Sequence, residues 1–143
     1  MSLATLVLQE CARRGVLLTA TGDRLRVDAP PGAVTDALRQ ALAREKPAII
    51  EVLQADAQAR GAGLVVLEPG RLYHAALSRW AGAFVERDGD VWEAYAVTWL
   101  AARQGDDSRL SRLRMASDST LYRGKALDRA LHAVVRWAGG RRG

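Results

Sequence analysis

The side chains able to do covalent chemistry are few and poorly grouped. Cys11 is the one cysteine, and His74 and His132 are the two histidines, so no internal disulfide can close and no zinc-type ligand spacing exists. Cys11 reads as a small buried helix residue rather than a reactive thiol. Asp88 and Asp90 flank Gly89 as the first ligands of a calcium loop would, but the oxygen ligands that should follow are missing, and a turn that stops a helix is expected there. Gly61-Ala62-Gly63 leads into neither Lys-Ser nor the helix of a phosphate loop. His74 and His132, read as helix residues, have no nucleophile motif beside them. The expectation is a noncatalytic protein with no cofactor and no metal.

What remains is chemistry of charge and of strand edges. The net charge of +5 is spread unevenly: +1 over residues 1–55, −2 over 56–102 and +6 over 103–143. The basic end holds Arg109, Arg112, Arg114, Arg123 and Lys125, a candidate set for phosphate or for an acidic protein surface. Near the start, Arg24, Arg26 and Asp28 recur at every second position, which places them on one face of a strand.

The elements that would hold these groups follow from hydrophobic period. Leu3, Leu6, Val7 and Cys11 are spaced three or four apart and mark an amphipathic helix, with Ser2 as its cap and Arg13-Arg14-Gly15 as its end. After Gly15 the period shortens. Residues 16–21 and 24–28 read as two strands around the tight turn Gly22-Asp23, with Leu25 and Val27 inward. Pro30-Pro31-Gly32 ends the hairpin. Thr35 caps a second helix with Val34, Leu38, Ala41 and Leu42 on its apolar side, and Pro47 sits in the first turn of a third that carries Ile49, Ile50, Val52 and Leu53. The order is α-β-β-α-α, and a unit of about 55 residues has little stability to spare alone.

The ordered set of a leucine-rich helix, Arg14-Gly15-Val16, Gly22-Asp23-Arg24-Leu25-Arg26, residues 29–35, Leu38, and Lys46-Pro47 before Ile49-Ile50 and Leu53 resembles the TubC-type N-terminal docking domain of peptide and polyketide assembly lines over residues 3–54. The resemblance implies a homodimer whose exposed hairpin receives a short C-terminal segment of an upstream protein. The matching surface here is Thr19, Thr21, Arg24, Arg26 and Asp28. An exposed hairpin edge offers unpaired backbone groups to an extended peptide, and the two arginines would favour an acidic one. For an arbitrary hairpin, such arginines simply keep an edge solvated. Assembly-line subunits continue into large catalytic domains, so a chain of 143 residues is expected to use the module for other contacts.

Residues 56–70 read as a linker with a short extended run at Leu64-Val65-Val66-Leu67. Residues 71–143 read as a mainly helical, basic region. Its helices are placed from Arg71 through Phe84, from Val91 to Arg103 with Trp92, Tyr95, Ala96, Trp99 and Leu100 as a stripe, around Arg109 to Met115, and from Ser119 or Thr120 to Trp137.

The whole is expected to be an α+β adaptor: a docking module at 1–55, a linker at 56–70 and a helical region at 71–143. It should be dimeric and bind a protein partner or a short acidic peptide. Met1-Ser2-Leu3 lacks the features of a secretory signal and no apolar run approaches the roughly 20 residues that span a bilayer, which predicts a cytoplasmic protein with no membrane partner. The second reading is a small nucleic-acid-associated protein that uses the basic helices near the end of the chain.

Overall fold

A computed structural model describes residues 2–79, 81–100 and 114–142, apart from the side chains of residues 99, 100, 114–118, 141 and 142. The chain divides into two compact units, Met1–Ala57 and Gln58–Gly143.

The first unit runs α1 (Leu3–Arg13), β1 (Leu17–Thr21), β2 (Arg24–Asp28), α2 (Asp36–Arg44) and the start of α3 (Lys46–Gly61). Its helices begin where side chains can satisfy the free amides of a first turn. The Ser2 hydroxyl accepts from the Thr5 amide, and the Thr35 hydroxyl accepts from the Leu38 amide. Gly15 and Gly22 hold φ values of 73° and 60°, the left-handed region that glycine enters without a Cβ clash. The first leads out of α1 and the second opens the hairpin turn. A shared core of Ala4, Cys11, Val16, Leu38, Leu42 and Ile49 is flanked by Leu18 and Leu25 from the inner face of the hairpin.

At the end of α1, the Glu10 carboxylate takes the guanidinium groups of both Arg13 and Arg14 at 2.6 Å. Hydrogen bonds from these arginines hold its pKa down to about 2, against an ordinary 4.5. Because the folded value is depressed, the contribution to α1 is complete above pH 4.5 and fades as the pH falls toward 2. A carboxyl titration by NMR should give Glu10 a midpoint of about 2, and Arg13→Ala with Arg14→Ala should return it toward 4.5.

The second unit corrects the helical reading of residues 71–143. It is an antiparallel meander in the order β3-β4-β5-β6-β7, made of β3 (Val65–Glu68), β4 (Leu72–Ser78), β5 (Ala81–Asp88), β6 (Val91–Leu100) and β7 (Arg114–Gly124), and closed by α4 (Leu127–Arg142). The region expected to be mainly helical is therefore mostly strand among its described residues. The physical cause is a period of two: Trp92, Ala94 and Ala96 are buried while Glu93 and Tyr95 between them point to the other face. Asp88-Gly89-Asp90 does make a turn, but it is the reversal of the β5–β6 hairpin, with Gly89 at φ 64°. Residues 119 and 120 lie in β7, and the last helix starts only at Leu127. The short basic helix placed around Arg109 falls mainly on 101–113, outside the described residues, and Arg114 opens β7.

One face of this sheet carries Tyr73, Ala83, Val85 and Ala94, all at 0 % exposure. Tyr122 pairs with Ala94 and shares that face, and its hydroxyl accepts from the Ala126 amide at the start of α4 at 3.3 Å. The helix therefore covers this side, burying Ala130, Leu131 and Val134. On the opposite side, the Phe84 ring lies between His74 at 4.7 Å and Tyr95 at 5.4 Å. Among the described residues, no helix is long and apolar enough to cross a membrane.

Candidate docking surface

β1 and β2 form a sheet of two strands, with Leu17 opposite Asp28, Thr19 opposite Arg26 and Thr21 opposite Arg24. These six residues share the outer face, and all are exposed. The sequence-derived set of Thr19, Thr21, Arg24, Arg26 and Asp28 is thus gathered on one surface, and Leu17, at 69 % exposure, joins it. The Arg26 guanidinium lies 3.3 Å from the Asp28 carboxylate. A pair this exposed contributes little to stability. Arg24 has no ion-pair partner among the described residues. The turn is tied to α3, where the Gln54 side-chain amide donates to the Gly22 carbonyl at 2.9 Å.

The inner face holds a feature that residue spacing did not reveal. Leu25 packs toward the core, but Val27 is 40 % exposed. Val27 forms a wall of a groove of about 510 Å³ lined by Leu25, Ala29, Pro30, Val34, Leu42 and Ala43, with Arg39 and Lys46 at its rim. A strand edge, an apolar groove and cations therefore lie together beside β2. Arg39 and Lys46 come from α2 and α3, more than ten residues from the hairpin, and no local pattern marks them as partners of Arg24 and Arg26.

A second groove, of about 310 Å³, runs between α1 and α2 and is lined by Leu3, Leu6, Val7, Leu38 and Ala41 with Glu10 and Arg14. Leu3 and Leu6 are 63 % and 46 % exposed, a large apolar surface to leave in water.

The other candidates fall in the second unit. Arg123 pairs with Glu93 at 2.6 Å, and Lys125 lies 3.3 Å from Asp90. Both cations are held by acids of the β5–β6 hairpin. Arg109 and Arg112 lie outside the described residues, and Arg114 is described only as the first residue of β7. His74 is in a strand rather than a helix, half-buried beside Phe84, and burial lowers its pKa. His132 is exposed on α4. Cys11 is buried, and burial raises its thiol pKa, which leaves little thiolate to react. Among the described residues, no three histidine, cysteine, aspartate or glutamate side chains are placed to hold a metal ion.

A helix, an open hairpin and two further helices, with an apolar groove rimmed by cations, define a surface suited to receiving another polypeptide. Residues 6–55 match the family described as the TubC N-terminal docking domain. A match to a docking domain implies a protein–protein docking role for these residues. No curated protein matches the chain. No solved structure matches it either.

Proposed function

We propose that the chain is a noncatalytic adaptor whose first unit docks an extended acidic segment of a partner protein on the β1–β2 hairpin. The observation that carries this reading is the groove on the inner face of β2, where Val27, Val34 and Leu42 line one cavity with the cations Arg39 and Lys46, while Arg24 and Arg26 stand on the outer face of the same strand. An added strand would satisfy its backbone against the hairpin edge, seat an apolar side chain against Val27 and Leu42, and set its carboxylates among the four cations. The family match to residues 6–55 supports the same role.

The test is a display library of C-terminal segments of the proteins encoded in the same genome, selected on the purified chain. Selection should enrich segments in which acidic residues flank an apolar one. Enrichment of basic segments, or of none, would refute the reading.

We infer further that the unit pairs with a second copy through α1, because Leu3 and Leu6 leave an apolar groove open at its junction with α2. Sedimentation should find a dimer for the natural chain and a folded monomer for Leu6→Glu. A natural chain that sediments as a monomer at high concentration rules the pairing out.

A further inference from the structure

We draw no further inference here: the strongest candidate, the row of His74, Phe84 and Tyr95 across the sheet face opposite α4, carries nothing because nothing in the structure shows what covers it.

Discussion

Replacing Ile49 with alanine should cost the first unit about 2–5 kcal/mol, the range for removing most of a buried aliphatic side chain and leaving a cavity. Ile49 has 0 % exposure and sits in the cluster that joins α1, the segment entering β1, and α2 to α3. A unit of fewer than 60 residues buries only about 60% of its unfolded surface and has little reserve against such a loss. Urea unfolding followed by far-ultraviolet circular dichroism should show the helical signal of α1, α2 and the start of α3 lost at a midpoint at least about 1 M lower. Leu17→Ala, at a side chain 69 % exposed, is the control and should change the midpoint little. An Ile49→Ala chain that unfolds with the natural midpoint would mean that this cluster is not the core of the unit.

The largest effect on binding should come from Arg24→Glu combined with Arg26→Glu. The double reversal does more than remove two attractive charges, because it places two carboxylates against an acidic segment beside an apolar groove. Affinity for a segment selected on the natural chain should fall by at least about thirtyfold, or roughly 2 kcal/mol. Raising the salt should weaken the natural complex only in part, since backbone pairing and the contact with Val27 and Leu42 are not screened. Stability should stay within about 0.5 kcal/mol, as both side chains are exposed and the Arg26–Asp28 pair contributes little. A variant that keeps full affinity would move the docking surface off the outer face of the hairpin.

The two halves of the chain were unequally legible, for reasons that specific residues make plain. In the first unit the punctuation is chemical: Ser2 and Thr35 cap helices, and Gly22-Asp23 reverses a hairpin. In the second unit the spacing of Trp92, Tyr95 and Trp99 imitates a helical stripe. In the fold, Trp92 stacks on Tyr73 while Tyr95 stacks on Phe84, on opposite faces of β6. The intervening Ala94 and Ala96 suit either period, because their small side chains decide little by themselves. Asp88-Gly89 carries a hairpin signal like that of Gly22-Asp23, but a helical period assigned to its flanks turns the same residues into a helix stop.

The charges show a similar division. Arg24 and Arg26 were visible because strand alternation is local. The partners of Arg123 and Lys125 were not, since Glu93 and Asp90 lie at least thirty positions away and become neighbours only when β7 pairs with β6. The groove beside β2 was hidden in the same way. Alternation placed Val27 inward, but only packing determines how much of the inner face α2 leaves uncovered.

The docking proposal rests on strand addition beside β2, and backbone amide exchange tests that step most directly. The natural chain should be compared free and saturated with a selected acidic segment, residue by residue. Slower exchange confined to amides of β2 and its groove, with new contacts from the segment to Val27, is the predicted result. Protection that appears elsewhere in the chain and leaves β2 unchanged would contradict docking at the hairpin.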